Sequence, residues 1–263
     1  MDILRKSLAP ISQAAWKEIN ETALDVLTSV LSARKLVDVE GPKGWNYPAL
    51  STGRIIVPDN QNGDVKFGIN QVLPLLEARV PFELNIWELD NVARGAEDID
   101  LDALEDAARK IAKFEEDIIF KGFKSANIKG IEECDEYDTP SFPESGDEIP
   151  GAVAEVLSQM KANSIEGPYS LVLSTDKWKN LSSYVRGYPL RKQLESLLEG
   201  SIVMAPNVDG AYLFSERGGD LKMVIGQDLS IGYESHTNKT VQLYFTESFT
   251  FHIIEPKAVA VFK

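Results

Sequence analysis

The sequence predicts an α+β protein built as two closely joined lobes. The first observation is that 3.6-residue apolar periodicities and two-residue alternations both occur, in separate blocks along the chain. The second is length, since 263 residues are many for one core and few for two full domains. The third is order: a strongly acidic stretch near the middle separates two patterned regions, and strand patterns of the first kind resume at the end.

Each element rests on a local signal. Ser12 is placed to cap a helix carrying Trp16, Ile19, Ala23, Leu27 and Val30 at spacings of three and four, which predicts a helix over 12–33. A short strand-like run at 36–39 stops at Gly41-Pro42. Residues 53–68 read as two arms around the turn signal Asn62-Gly63. Neither arm can bury a face, and an isolated hairpin is marginal in water. The hairpin therefore packs either on its own domain or on a neighbouring subunit. Residues 78–90 alternate, with Val80, Phe82, Leu84 and Ile86 on one face. Asp102 and Glu105 read as a capping box for a helix over 102–121 that ends at Gly122.

Residues 132–148 hold eight acidic side chains, two prolines and no Lys or Arg, which predicts a solvated loop at a lobe boundary. Helices near 150–163, 176–185 and 189–199 and strands at 169–174, 201–204, 210–215 and 221–226 then predict a second α+β lobe. Alternation at Val241, Leu243, Phe245 and at Phe249, Phe251, Ile253 returns the chain to the first lobe's sheet. The expected divisions are 1–46, 47–70, 71–132, 133–226 and 227–263.

Composition narrows function. A net charge of −14 and a pI near 4.7 argue against nucleic acid and anionic membrane as partners. The single cysteine, Cys134, forbids an intrachain disulfide and fits a reducing compartment. The N-terminal stretch lacks the apolar core of a signal peptide, and the chain has no apolar run of membrane-spanning length, so a cytoplasmic protein is expected.

Chemistry is sparse. The two histidines, His236 and His252, lie in a turn and on the polar side of a strand, with no hydrolase or zinc pattern around them. Acidic neighbours disfavour the Cys134 thiolate. Asp98-x-Asp100-x-Asp102 opens like a calcium loop, but Ala103 and Arg109 stand where glycine and glutamate are needed. Gly218-Gly219 reads as a turn between strands. Trp87 is a candidate stacking face for a planar ligand such as a flavin. No catalytic residue, no metal site and no required cofactor is expected.

Several stretches together resemble one family, the encapsulins: LAPISQAAW at 8–16, ARKLVDVEGPKGW at 33–45, LPLLEARVPFELNIWELDNVARG at 73–95, IEGPYSLVLSTDKW at 165–178, SERGGDLKMVIGQDLSIGYE at 215–234 and FTESFTFHI at 245–253. The match runs over nearly the whole chain and is weakest across 132–148. The resemblance implies a phage-capsid-like (HK97-type) fold. Its parts would be an inner N-terminal helix, a peripheral lobe with a long spine helix at 102–121, an extended arm at 53–68 that reaches another subunit, and an axial lobe. It implies a structural subunit, not an enzyme, that self-assembles into an icosahedral nanocompartment of roughly 60 copies. It also implies cargo: a ferritin-like iron oxidase or dye-decolorising peroxidase, held through a C-terminal targeting peptide and serving iron storage or oxidative-stress defence.

The docking groove implied by the resemblance lies at Leu27, Leu31, Arg34, Leu36, Asp38, Leu229, Ile231 and Tyr233, where apolar pockets would take alternate side chains of an extended peptide. The fivefold pore is expected at Tyr184, Arg186, Gly187 and Tyr188. A prophage capsid protein and an enzyme such as a peptidase are the competing readings.

Overall fold

The computed structural model describes residues 3–61, 63–184 and 189–263. Helix α1, Gln13–Val30, starts where the sequence places it: the Ser12 hydroxyl accepts a hydrogen bond from the Ala15 amide at 3.1 Å. Its stripe Ala15, Ile19, Ala23 and Leu27 is buried at i, i+4 spacing. The helix stops at Val30, and a turn of 3₁₀ helix at Ala33–Lys35 leads into strand β1, Asp38–Glu40.

The peripheral lobe is a four-stranded sheet ordered β1-β8-β9-β4, with α1 and the spine helix α3 packed on it. Strand β4 is Leu76–Asn85, β8 is Leu221–His236 and β9 is Thr240–Ile253. β4 buries Phe82 and Leu84 on the expected face but ends earlier than the sequence predicts. The Asn85 side chain accepts from the Trp87 amide at 2.9 Å and turns residues Ile86–Arg94 into helix α2, closed by Gly95 at φ 95°. A cap of this kind overrides the apparent alternation of the last residues.

Helix α3 runs Asp102–Lys121, as predicted, and Gly122 ends it at φ 79°. The predicted capping box is absent. Leu101 occupies the N-cap, the Asp100 carboxylate accepts from the Asp102 amide at 3.1 Å, and Asp102 and Glu105 lie in the first turn, where they complement the helix dipole.

The second lobe has helix α4 (Ile149–Ala162), α5 (Thr175–Ser183) and α6 (Leu190–Leu198) around a sheet ordered β10-β7-β5-β6. Its strands are β5 (Tyr169–Leu173), β6 (Ile202–Met204), β7 (Ala211–Ser215) and β10 (Val259–Val261). Two lobe boundaries differ from expectation. β8 starts at Leu221 and pairs from its first residue with β9, so the axial lobe ends before 226. β10 pairs with β7, so the segment 227–263 does not stay in the peripheral lobe.

The acidic stretch 132–148 is a strap anchored by its few apolar residues, not a free loop. Tyr137 and Phe142 are buried, the Tyr137 hydroxyl donates to the Lys257 carbonyl at 2.7 Å, and Phe142 meets Phe262 edge-on at 5.3 Å. The acids face outward while the anchors enter the axial core.

The arm is a two-stranded ribbon of β2 (Ala49–Ile56) and β3 (Ile69–Pro74). Pairing ends at Ile56↔Ile69, so most of the predicted hairpin 53–68 is loop. Pro58 cannot donate to a ladder, and Gln61 organises the loop by bonding the Pro58 carbonyl at 2.7 Å and the Phe67 amide at 2.9 Å. Asn62, half of the expected turn, lies outside the described residues. Ile55, Ile56, Val57, Val65, Phe67 and Ile69 are all exposed, a density of apolar surface that a lone ribbon cannot use.

Candidate functional site

Along β8 the register with β9 shifts between Gln227 and Ser230. Such a bulge re-aims side chains. Here it presents Asp228 and Leu229 to α1 and the Ala33–Lys35 turn. The result is an open groove of about 310 Å³ whose apolar wall includes Leu24, Leu27, Leu31 and Leu229 and whose polar end is Arg34 and Asp228.

Four of the eight expected groove residues thus meet: Leu27, Leu31, Arg34 and Leu229. Ile231 is buried among the residues that support the groove, and Tyr233 lies further along β8, partly buried against the same cluster. The Tyr233 amide donates to the Leu4 carbonyl at 2.8 Å, so the chain's own N-terminal segment covers that end. Leu36 is buried in a different core with Ile118 and Phe120. Asp38 points away from the groove and accepts from the Gly219 amide at 2.6 Å. The strand that starts at Asp38 is a ladder partner of β8 rather than a groove wall.

Arg34 is engaged by its own chain. It forms a two-pronged pair with Glu115 (Nη2–Oε2 2.6 Å, Nε–Oε1 2.9 Å), reaches Asp228 at 2.8 Å and Glu247 at 3.4 Å. These carboxylates hold the guanidinium above its usual range in spite of its burial. Glu116 accepts from the Ser32 amide at 2.9 Å, the Ala33 amide at 2.7 Å and the Ser32 hydroxyl, which satisfies the backbone beyond α1. Burial raises the Glu116 carboxyl to about 7.

Sequence reading missed Leu24, Asp228, Glu115, Glu116 and Glu247. Two signals were available. Glu247 occupies the inward register of β9 between Phe245 and Phe249, and Glu115 and Glu116 fall within the apolar stripe of α3. Acids on core-facing positions are rare unless paired.

The remaining sites are quickly placed. Trp87 is 72% exposed on the first turn of α2. Tyr184 follows α5 and packs against the axial core, its ring lying over Gly146. Arg186, Gly187 and Tyr188 lie outside the described residues. Cys134 is buried, and burial followed by the charges of Glu136 and Glu133 pushes its thiol up to about 11. Burial, then Lys222 and Arg54, lowers the His252 imidazole. The His236 ring bonds the Tyr233 hydroxyl at 2.6 Å. Among the described residues no helix is long and apolar enough to cross a membrane, and no three His, Cys, Asp or Glu side chains are placed to hold a metal.

A peripheral lobe with a spine helix, an axial lobe and an apolar arm define a capsid-type shell subunit. The solved fold of the virus-like particle from Pyrococcus furiosus matches with a TM-score of 0.66 at 18% identity, covering 94% of this chain and 99% of that one. The capsid of Myoviridae phage XM1 matches at 0.52 and 12% identity, covering 85% and 87%. The chain belongs to the encapsulins. Residues 1–250 match the family described as "Encapsulating protein for peroxidase", and the type 1 encapsulin shell protein of Rhodococcus erythropolis is 40% identical over 261 residues, 98% of each chain. By that family it is a shell protein, and the curated relatives it matches are named as shell proteins.

Proposed function

We propose that the chain closes into an icosahedral shell of roughly 60 copies in the cytoplasm and retains a cargo enzyme by docking its C-terminal peptide in the groove between α1 and the β8 bulge. The observation that carries this reading is Leu24. It is 63% exposed and lines the groove with Leu229, on a helix whose other large apolar residues are buried or partly buried, which leaves an apolar wall with one polar end. An extended peptide with alternate apolar side chains fits that arrangement. The family description names a peroxidase, which supports a peroxidase as cargo; a ferritin-like iron oxidase is the second cargo class of this reading, and iron storage or oxidative-stress defence the role it would serve.

Two finer parts of the proposal rest on single features. The exposed indole of Trp87 offers a stacking face for a planar ligand such as a flavin; visible absorbance that is present in purified particles and lost in Trp87→Ala tests it. The pore is assigned to 184–188, and metal influx measured on variants of Arg186 tests it. The shell reading itself is tested by electron microscopy of purified protein with mass spectrometry of what co-purifies. Closed particles holding a second protein are expected; a dispersed monomer overturns it.

A further inference from the structure

At the polar end of the groove, three carboxyl groups converge on one guanidinium. Arg34 touches Glu115, Asp228 and Glu247, and Glu116 is the next residue on α3. The Glu115 and Glu247 side chains are 0% and 1% exposed. Arg34 is already committed to the two-pronged pair with Glu115, and its contact to Glu247 is the longest of the set, 3.4 Å. The second oxygen of Glu247, Oε1, is buried with no hydrogen-bond partner among the described residues.

The 33–35 turn contributes Arg34, α3 contributes Glu115 and Glu116, and the β8 bulge contributes Asp228. β4 places the apolar Ala78 opposite Glu247 in register, and α1 brings its apolar stripe to the same cluster. One positive charge thus serves three carboxyl groups directly, with a fourth adjacent. A buried carboxylate with an unsatisfied oxygen is costly, and the alternative is protonation.

We infer that Glu247 carries a proton at neutral pH, directed at the Glu115 carboxylate, and that this proton latches the elbow between α1 and the Arg34 turn against the sheet. Neutral Glu247 turns its orphaned oxygen into a donor and removes one like charge from Glu115. Ionised Glu247 leaves two buried carboxylates competing for one guanidinium, and Arg34 is the residue through which the elbow meets both of them. Burial, then the charge of Glu115, sets the Glu247 carboxyl well above the usual carboxylate range.

The sign follows from linkage. An acid whose folded value is raised keeps a proton that the unfolded chain has released. Its contribution is therefore present below the unfolded carboxylate range and declines as pH rises, until the folded group itself ionises. Glu116 behaves alike, but its fall ends near its own value of about 7. Cys134, raised to about 11, contributes only above the ordinary thiol range. Above the Glu116 value of about 7, Glu247 is the raised carboxyl of this cluster that remains to be titrated.

The test is made on assembled wild-type particles, whatever the groove holds. Infrared difference spectra of wild type minus Glu247→Gln at pH 7, in which the band of Glu116 (raised to about 7) is common to both proteins, are expected to show the carbonyl stretch of a buried protonated carboxyl that disappears on alkaline titration. Amide exchange at Leu31–Lys35, corrected for its intrinsic base catalysis, is expected to accelerate up to about tenfold per pH unit over the same range, the limit for one proton. In Glu247→Gln that acceleration is absent. A spectrum at pH 7 without such a band, or exchange with the same pH dependence in both proteins, overturns the inference. If Glu247→Gln does not fold, Glu116→Gln removes the other raised carboxyl, and whether a band persists in it at pH 7 decides. Since neither readout depends on bound cargo, loss of the latch and loss of the docking reading are separate results.

Discussion

The Arg34 guanidinium meets the Glu115 carboxylate through two parallel hydrogen bonds, 2.6 and 2.9 Å long, across 81 residues of sequence. The pair ties the turn beyond the inner helix to the spine helix and so sets one end of the groove. Its value lies in geometry, because a buried pair returns little net stability over an apolar replacement while a broken one is expensive.

Arg34→Ala strands Glu115 and Glu247 without a cation. Urea unfolding of the subunit at neutral pH is expected to show a loss of about 3–5 kcal/mol. Arg34→Lys keeps the charge but cannot make two parallel bonds, so it is expected to fall between the two proteins. A loss within about 0.5 kcal/mol in Arg34→Ala, the level of an ordinary surface change, would show that the pair carries no structural weight.

Leu24 separates docking from folding. Its side chain is 63% exposed, so Leu24→Asp should unfold at the same denaturant concentration within about 0.5 kcal/mol and still form particles. Placing a charge on the apolar wall should lower cargo retained per particle by about tenfold or more, the equivalent of 1.4 kcal/mol. Asp at Leu31 or Ile231 would be a poor test, since both are buried and the fold would fail with the groove. Undiminished cargo in Leu24→Asp would remove the groove from consideration.

The arm tests assembly. Ile55, Val57 and Phe67 are exposed at 62%, 66% and 44% and bury little in the subunit itself. Changing all three to Ser should leave the melting temperature of dissociated subunits unmoved. Size-exclusion chromatography should shift from closed particles to small oligomers, because apolar area of this kind is stabilising only when another surface covers it. Normal particles would mean that the ribbon decorates the shell without closing it.

How much of this could be read in the chain depends on the range of the interactions. Ser12 to Leu27 was legible because cap and stripe lie within one helix. β5 and β7 were legible as short apolar runs. The end of β4 was not, since the Asn85 cap lies inside an alternation that would otherwise continue. The lobe boundary was not, because β10 finds β7 across the 43 residues 216–258, which first build β8 and β9. The groove was half legible: its leucines are periodic, whereas its polar end joins residues 34, 115, 228 and 247, of which Glu115 and Glu247 announce themselves locally as acids on apolar faces and Arg34 and Asp228 do not.

Gly130 marks a backbone crossing behind the spine helix. A Cβ there would fall 2.2 Å from the Gly122 nitrogen and 2.3 Å from the Lys121 carbonyl carbon, distances that real atoms do not adopt. Gly130→Ala should therefore cost about 1–3 kcal/mol in urea unfolding, through overpacking rather than through backbone freedom, as its φ of −92° suits any residue. Gly151, whose added Cβ meets nothing within 4 Å, serves as the control, and Gly151→Ala should be neutral or stabilising in helix α4.

Cys134 should behave as an inert core residue. Its thiol is buried, raised to about 11, and flanked by acids, so at pH 8 about one molecule in a thousand carries the thiolate that disulfide reagents require. Labelling of native particles is expected to be roughly two hundred times slower than labelling in urea, where the ordinary thiol value of about 8.5 leaves about a quarter of the molecules as thiolate. Cys134→Ala should then leave particles and cargo unchanged while costing some stability, because the side chain fills space near Glu133 and Pro256 rather than reacting. Fast labelling of the intact particle would instead place the strap's N-terminal end in motion and make 132–148 the loosest part of the axial lobe.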